Sequence, residues 1–424
     1  MMYKSPINIS LHHVINSLRT MEITTENFQD RLPEIEKAIE TSTFMAIDGE
    51  FTGLNAYRNV SAFDTPAERY DKVKDSARQF LLIQFGLSTF HHIKSSDSFE
   101  SRTYNFYVWP RPCSRNAPDP RFLCQTSSID FLTNQNFDFN KLFKHGVSYL
   151  RPVELLKLTD SLRERQEHRR QSLHGAEAER ASQPITIPED QEKFLADVHE
   201  KITKFIASEE EQMELEKCNG FQRRLIYQTA KEKYKDLSLS SINNSNGDRV
   251  ILVVKADEEE QQRLAGLRDE AELTDLETAL GFTRVINKMT ESGKLVIGHN
   301  MILDVAQTVN QFCGPLPDTL LEFKSMLTSV FPRLVDTKLM ANTIPFKQEI
   351  YNSSLEELYK TVQCAPYSLP EVNSAEAGLG YCQGDKYHEA GYDAYITGLC
   401  FIAMANRLVS LSPISQTNSK QNLL

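Results

Sequence analysis

The sequence predicts an α/β protein in which helices flank a central sheet and a second, small α/β unit lies in the middle of the chain. Apolar runs with strand character alternate with segments whose apolar residues recur every three or four positions, as on one face of a helix. Between residues 158 and 184 charged and small residues replace the apolar ones. The 424 residues, 40% of them hydrophobic, suffice for one large core and a further small domain.

The first part of the chain is expected to build most of the sheet. A helix is predicted over 21–42, with Thr25 as its cap, because its apolar residues repeat at helical spacing. It leads into an apolar strand over 44–47 that ends in Asp48. Further strands are predicted over 80–87 and 104–109, the first almost continuously apolar and therefore central in the sheet.

The last part of the chain repeats a strand-to-helix unit. A strand over 294–297 is followed by a turn in which Asn300 is predicted to cap a helix. A second such strand ends at Asp336, whose position at a helix start favours a capping role. His299, in the first turn, is predicted to be a structural hydrogen-bond donor.

These elements give a domain map with an interrupted main domain. The crowded charges of 163–170 favour a mobile linker, and a compact unit with two helices and a strand follows it. The predicted segments are a flexible extension over 1–20, the main domain over 21–160 and 257–411, a linker over 161–184, an inserted domain over 185–256 and a disordered tail over 412–424.

Composition excludes several classes of protein. The net charge of −11 argues against a protein that coats nucleic acid without specificity. The seven cysteines form no CxxC pair, which favours reduced thiols over a disulfide framework or a zinc site. The longest apolar stretch, 394–405, is shorter than the roughly 20 residues of a membrane span. It is therefore predicted to be a buried helix, and no membrane association is expected.

Acidic residues stand where the predicted strands and helices meet. Asp48 and Glu50 follow an apolar run with one residue between them, so their side chains share a face of the strand and their carboxylates repel each other. A divalent cation is the usual means of holding such a pair. Asp304 lies in the first turn of the helix after 294–297, where it adds a third carboxylate.

A histidine and a fourth acid stand before and within the last helix. Residues five apart differ by about 140° around a helix axis, so His388 and Asp393 cannot share a helical face. His388 is therefore predicted to precede the helix that carries Asp393. This separation suits a histidine that deprotonates water and an acid that holds a cation.

The order of these residues resembles the DEDDh exonucleases of the RNase H-like superfamily. Asp48 and Glu50, then Asp304, then His388 with Asp393 match that pattern in sequence order. The stretches around them, together with 63–66, 296–301 and 336–340, resemble the poly(A)-specific ribonuclease family over residues 21–411. The resemblance implies a mixed central sheet flanked by helices, and an inserted nucleic-acid-binding domain of the Arg-x-x-x-His type.

Two departures from that family stand in the sequence. The inserted domain has Arg223 followed by Tyr227 where the family motif has histidine. Longer members continue into an RNA-recognition motif that reads the mRNA cap, and no such motif is expected within these 424 residues. Binding of RNA by Arg223 and Arg224 is expected from the local excess of basic residues.

The resemblance implies a 3′-to-5′ exoribonuclease that degrades poly(A) and releases 5′-AMP. Two Mg²⁺ ions about 4 Å apart are expected on Asp48, Glu50, Asp304 and Asp393, with Mn²⁺ able to replace them and His388 as general base. The implied substrate contacts are Phe51, Leu54, Ile129 and Lys338. The implied partners are single-stranded RNA with a poly(A) 3′ end and a second copy of the chain, in the nucleus and cytoplasm.

Two other functions remain open. One is a related 3′ trimmer of small non-coding RNA or piRNA precursors, which has the same nuclease core. The other is a catalytically weak RNA-binding protein that keeps the fold. Loss of an acid or of the histidine would be expected in the latter, and all five residues are present.

Overall fold

A mixed sheet forms the centre of the main part of the chain in the computed structural model, which describes residues 21–56, 61, 63–112, 118–173, 186–234, 236–244, 247–375 and 386–411. Within these ranges seven strands pair in the order β1-β4-β3-β2-β8-β9, and β10 also pairs with β4. The strands are β1 Glu22–Ile23, β2 Phe44–Phe51, β3 Leu82–Ile93, β4 Ser98–Tyr107, β8 Leu295–Gly298, β9 Leu334–Asp336 and β10 Val372–Ser374. The β2–β3 and β3–β4 pairs are antiparallel and the others parallel, so the predicted mixed central sheet is confirmed.

Helices pack on this sheet, and further helices belong to a second compact unit of the chain. In chain order they are α1 Phe28–Thr41, α2 Pro66–Gln79, α3 Thr126–Asn134, α4 Phe139–His145, α5 Pro152–Leu173, α6 Glu189–Ala207, α7 Gly220–Lys233, α8 Glu258–Leu280, α9 Thr283–Ser292, α10 Ile302–Thr308, α11 Leu320–Val330, α12 Thr337–Ala341, α13 Leu355–Val362 and α14 Ala390–Leu411. A π-helical turn, Val309–Cys313, follows α10, and a 3₁₀ turn, Phe346–Gln348, precedes α13. Contacts divide the chain into a main unit, 1–158 with 277–424, and an inserted unit, 159–276.

The start of the chain differs from the prediction. The periodic residues Phe28, Leu32, Ile35 and Ile39 are buried on α1, as expected. The helix begins only at Phe28, however, because Glu22 and Ile23 pair with β4 as a short strand. Thr25 as the cap is therefore wrong, since Asn27 holds that position.

Helix α14 lies against the middle of the sheet. By length and composition it could cross a membrane, which is weak evidence for a span because core helices pass the same test. Here nearly every residue from Ala390 to Met404 is buried, and the helix packs on β2, β3 and β4. The predicted buried helix is confirmed.

The inserted unit has its own small sheet and core. Strands β5 Gln212–Glu214, β6 Leu237–Asn243 and β7 Arg249–Lys255 pair in the antiparallel order β5-β7-β6. Apolar residues of α6 and α7, among them Ile202 and Leu225, pack with Ile251 and Val253 of β7. The segment predicted as a compact α/β unit thus has a hydrophobic core of its own.

The predicted linker over 161–184 is wrong in its first half. Helix α5 runs on to Leu173, and the buried amide of Gln166 donates a hydrogen bond to the carbonyl oxygen of Asp269 on α8, at 3.2 Å. The inserted unit therefore extends beyond the predicted 185–256 at both ends. Residues 174–185, the predicted extension over 1–20 and the predicted tail over 412–424 lie outside the described residues.

Candidate active site

Two acids project from the end of the central strand β2. Asp48 pairs with Gly86 of β3, and Glu50 pairs with Gln84. Because alternate residues of a strand point to the same side, the two carboxylates lie on one face of the sheet. This is the arrangement predicted from the Asp-x-Glu spacing.

Asp304 comes to this strand from the first turn of α10, as predicted. Its carboxylate accepts a hydrogen bond from the backbone N–H of Gly49, which stands between Asp48 and Glu50. A Cβ built on Gly49 would lie 3.2 Å from the Oδ1 atom of Asp304. A larger residue between the two acids would therefore crowd the third.

Asp393 and His388 reach the same place from the start of α14. Asp393 is in the first turn, and His388 precedes the helix with a left-handed φ of 69°. The Oδ2 atom of Asp393 accepts a hydrogen bond from the backbone N–H of His388 at 3.1 Å. The His388 ring meets the ring of Phe131 on α3 edge to face, with 4.8 Å between centroids.

The structure brings the predicted acids together. Carboxylate oxygens of Asp48, Glu50 and Asp393 all lie within 4.8 Å of one another, and Asp304 approaches through Gly49. Asp304 and Asp393 are each only 8% exposed, whereas Asp48 and Glu50 keep part of their surface open to solvent. The cluster is thus buried at its base and open on one side.

Burial and mutual repulsion make the ionised cluster unfavourable. Burial, followed by the charges of the neighbouring acids, raises the pKa of Asp48 and of Glu50 well above their ordinary values. Burial raises the pKa of Asp304 to about 7, with Asp336 adding to the effect. Burial likewise raises the pKa of Asp393 to about 7, with Glu389 adding to it. A bound cation would remove this repulsion.

The donor set fits a hard divalent cation. All four side chains offer carboxylate oxygens, which Mg²⁺ and Mn²⁺ prefer. The Oδ1 atom of Asp393 is buried without a hydrogen-bond partner among the described residues. A buried carboxylate oxygen without a hydrogen-bond partner is unusual, and a bound metal ion would give this oxygen its partner.

The imidazole of His388 lies before the start of α14 and is partly exposed. Burial lowers the pKa of its imidazole below the ordinary value of 6.5, and the charge of Glu356 acts in the opposite direction. The ring is therefore neutral at pH 7, the form that a general base requires.

Asp336 ties the two strand-to-helix turns together, which confirms its predicted capping role. Its carboxylate accepts hydrogen bonds from the N–H groups of Lys338 and Leu339 on α12, at 2.8 and 3.1 Å. It also accepts from the N–H groups of Asn300 and Met301, at 3.1 and 2.9 Å, in the turn that precedes α10. Asn300 as the cap of α10 is wrong: Met301 holds that position, and Asn300 is left-handed with φ 59°.

His299 is a structural donor, as predicted. The hydroxyl of Thr337 donates to the carbonyl oxygen of Gly298 at 3.1 Å, so the Nδ1 atom of His299 donates to Thr337 Oγ1 at 2.9 Å. Burial lowers the pKa of His299 to about 4, so this ring is neutral.

The predicted substrate contacts lie in different surroundings. Phe51 is 6% exposed and belongs to the main hydrophobic core, whereas Leu54 is 47% exposed. Ile129 on α3 and Lys338 on α12 are half-buried. The position of Phe51 gives it a packing role, and substrate contact by these four side chains stays a prediction.

The predicted RNA-binding arginines lie at the start of α7 in the inserted unit. The guanidinium of Arg223 donates to the carbonyl oxygen of Cys218 at 2.7 Å, while Arg224 is exposed. Tyr227, at the histidine position of the family motif, shares a hydrogen bond with the hydroxyl of Ser241 at 3.1 Å. Arg224 is thus the more accessible of the two, and RNA binding here stays a prediction.

Two polar residues that contact the site were missed by sequence analysis. Gln84 and Asn105, 2% and 0% exposed, accept hydrogen bonds from the start of α14. Their signal in the sequence is an amide inside an otherwise apolar run, in Ile83-Gln84-Phe85 and in Tyr104-Asn105-Phe106. A buried amide requires a partner, but the sequence does not say which one.

Comparison with known proteins gives consistent matches along the chain. A family model described as CAF1 family ribonuclease matches residues 23–401. The chain is 47% identical over 406 residues to poly(A)-specific ribonuclease PARN of Xenopus laevis, covering 93% of this chain and 64% of that protein. It is 49% identical over 407 residues to the human protein of that name, covering 93% and 63%. It is 29% identical over 397 residues to the pre-piRNA 3′-exonuclease trimmer of Bombyx mori, covering 91% and 71%. The chain therefore spans less than two thirds of the two poly(A)-specific relatives.

Proposed function

Because the chain belongs to the CAF1 family of ribonucleases, we propose that it is a 3′-to-5′ exoribonuclease that shortens poly(A) and releases 5′-AMP. The observation that carries this proposal is the convergence of Asp48, Glu50 and Asp393 within 4.8 Å. Asp304 and His388 border the same cluster. This set of groups suits metal-assisted hydrolysis of a phosphodiester.

The acids Asp48, Glu50, Asp304 and Asp393 would hold two Mg²⁺ ions, which Mn²⁺ can replace. Bound there, the ions supply an acidified water and stabilise the charge that develops on the departing 3′ oxygen. The protein contributes the fixed positions of the four carboxylates. Two of them come from a strand paired on both sides, and two from the first turns of helices.

His388 would take the proton from the attacking water. The imidazole is neutral at pH 7 because burial lowers its pKa. The backbone N–H of His388 donates a hydrogen bond to Asp393, which would fix the position of the base relative to one of the metal-binding acids. The ring of Phe131 contacts this imidazole edge to face, with 4.8 Å between centroids.

A preference for poly(A) is supported by the relatives. The chain is 47% and 49% identical to two poly(A)-specific ribonucleases and 29% identical to a pre-piRNA trimmer. Exposed Leu54 and half-buried Lys338 would then meet the 3′ end of a single RNA strand. We further propose, from the family resemblance, that the chain acts as a homodimer in the nucleus and cytoplasm.

The test is incubation of the purified chain with 5′-labelled oligo(A), mixed-sequence RNA and DNA, each with Mg²⁺ or with EDTA. We expect stepwise, Mg²⁺-dependent shortening of oligo(A) with release of 5′-AMP, and none in Asp48→Ala. Equal shortening of both RNAs would replace the poly(A) preference with a general trimming activity. No shortening of any substrate would refute the enzymatic function and leave an RNA-binding protein.

A further inference from the structure

We propose that Gln84 and Asn105 are positioning residues for the active site, because their amide oxygens anchor the start of α14 to the sheet and so place Asp393 and His388. This inference rests on the proposed function for its consequence in catalysis. The anchor itself is a property of the fold and can be measured without RNA.

The register of the sheet puts the amides beside the catalytic strand. Glu50 on β2 faces Gln84 on β3, which faces Tyr107 on β4. In the next row, two residues along, Asp48 faces Gly86, which faces Asn105. Directly opposed residues in a sheet share a face. Gln84 and Asn105 therefore lie on the face that carries the two acids.

The start of α14 is seated on these two amides. The Oε1 atom of Gln84 accepts a hydrogen bond from the backbone N–H of Ala390 at 3.1 Å. The Oδ1 atom of Asn105 accepts one from Gly391 at 3.1 Å. The first N–H groups of a helix have no partner within the helix. Two side chains from the sheet thus satisfy donors that a capping residue would otherwise satisfy.

The surface of the sheet beneath the start of α14 also fits the helix in shape. A Cβ on Gly86, between the two amide positions, would overlap the carbonyl oxygen of Ala390. Only glycine lets the helix come this close. The amide of Gln84 also hydrogen-bonds the hydroxyl of Tyr107. This second contact orients the amide so that its oxygen points to Ala390.

The choice of amides over carboxylates follows from the charge of the site. An Asp or Glu would accept the same hydrogen bonds but would add a negative charge beside Glu50 and Asp48. The charges of Asp304 and Asp393 already raise the pKa of both Asp48 and Glu50. A neutral acceptor holds the helix without adding to that repulsion.

The anchor matters because both groups on this segment lie close to it. Asp393 is two residues after Gly391, and His388 is two residues before Ala390. Misplacing catalytic groups by about 1 Å can reduce a rate about 100-fold. Residues that orient metal ligands typically change metal affinity or activity by roughly 10- to 100-fold when removed.

The experiment compares Gln84→Met and Asn105→Ala with the wild-type chain. Ser88→Ala is the matched control, because Ser88 is buried on the same strand and its hydroxyl hydrogen-bonds the hydroxyl of Thr103, at 2.8 Å. Hydrogen exchange followed by mass spectrometry in the metal-free chain measures how fast the backbone amides of Ala390 and Gly391 exchange. Calorimetric titration measures the affinity of the acidic cluster for Mn²⁺. Kinetics on oligo(A) give kcat and KM.

We expect faster exchange at the start of α14, Mn²⁺ binding weakened roughly 10-fold or more, and kcat lowered by a similar factor with KM nearly unchanged. Ser88→Ala should change none of these. Unchanged exchange and Mn²⁺ affinity in a folded Gln84→Met or Asn105→Ala chain would overturn the proposal. If wild type shortens no RNA, the proposed function fails, while exchange and Mn²⁺ binding still decide on the anchor.

A conservative variant separates the hydrogen bond from the packing. Gln84→Glu keeps an oxygen acceptor at the same place, so exchange at Ala390 should stay slow even though the added charge changes Mn²⁺ binding. Gln84→Glu also allows the exchange test at this position if Gln84→Met does not fold. Fast exchange at Ala390 in folded Gln84→Glu would show that the acceptor is not what holds the helix.

Discussion

Replacing Asp304 by Asn should stabilise the metal-free protein while it removes activity. The side chain keeps its size and an oxygen that can accept from the N–H of Gly49. It loses a charge that the fold disfavours, because burial raises the pKa of Asp304 from 3.8 to about 7. Asn imitates the protonated acid, which is the form the metal-free site prefers.

The magnitude follows from that difference in pKa. A group that binds its proton more tightly in the folded state stabilises the fold below its unfolded pKa, and this contribution is lost as the pH rises through the folded pKa. At about 1.4 kcal/mol per pKa unit, the titration of Asp304 lowers the free energy of unfolding by about 2 kcal/mol at pH 5, where only the unfolded chain has released the proton, and by about 4 kcal/mol at pH 8. Asp304→Asn should recover these amounts.

The assay is urea unfolding of both chains in EDTA at pH 5 and pH 8, with exposed Asp275→Asn as control. Asp304→Asn should raise the unfolding midpoint more at pH 8 than at pH 5, and Asp275→Asn should leave it nearly unchanged. Saturating Mg²⁺ should stabilise wild type more than Asp304→Asn, which keeps the other three carboxylates. A variant that is less stable than wild type in EDTA at pH 8 would refute the reasoning.

Four further results are expected. Gly86→Ala should lower kcat at least about tenfold by displacing α14. The control Gly266→Ala, whose added Cβ would meet open space, should leave kcat unchanged. Equal activity of the two variants would contradict the close approach of Gly86 to Ala390. Asp336→Ala should lower the free energy of unfolding by about 2 kcal/mol, measured by urea unfolding, because four N–H groups lose their acceptor. His388→Ala should lower kcat by about 10²- to 10⁴-fold with unchanged Mn²⁺ affinity in calorimetry, and wild-type kcat should fall only below pH 6.5; lost metal binding would make His388 a ligand. Arg224→Glu should weaken RNA binding and flatten its salt dependence, and an unchanged salt slope would remove that residue from the RNA interface.

Local signals predicted the acids, because each stands at a strand end or in a first helical turn. The spacing of Asp48 and Glu50 requires a shared face, and the positions of Asp304 and Asp393 follow from the helices that begin beside them. The partners of Gln84 could not be predicted in this way. Its hydrogen bond to Ala390 spans 306 residues of sequence, and only the assembled sheet brings the two together.

The errors have the same origin. Residues 22–23 form a strand only because β4 offers a free edge, and their sequence carries no separate strand signal. The crowded charges after Leu158 favour a linker, but the segment is helical to Leu173, since Leu, Arg, Glu and Gln are strong helix formers. Gln166 of this helix bonds Asp269 on α8, 103 residues further along the chain. A partner distant in sequence thus contributes in both cases.

The tethers of the acids are neutral groups, so a cation such as the proposed Mg²⁺ would be needed to balance the charge of the assembled site. The Asp304 carboxylate is held by the N–H of Gly49 and that of Asp393 by the N–H of His388, so neutral groups fix the ligands in place. The charges that raise the pKa of these two acids belong to Asp336 and Glu389, which are themselves acidic. Neutral tethers fix geometry without balancing charge. A lysine in their place would relieve the repulsion but would also compete with a metal ion for the same oxygens. The fold instead keeps the carboxylates close together without a positive neighbour among these tethers, which should lower the stability of the metal-free protein and would let a divalent cation supply the full electrostatic gain.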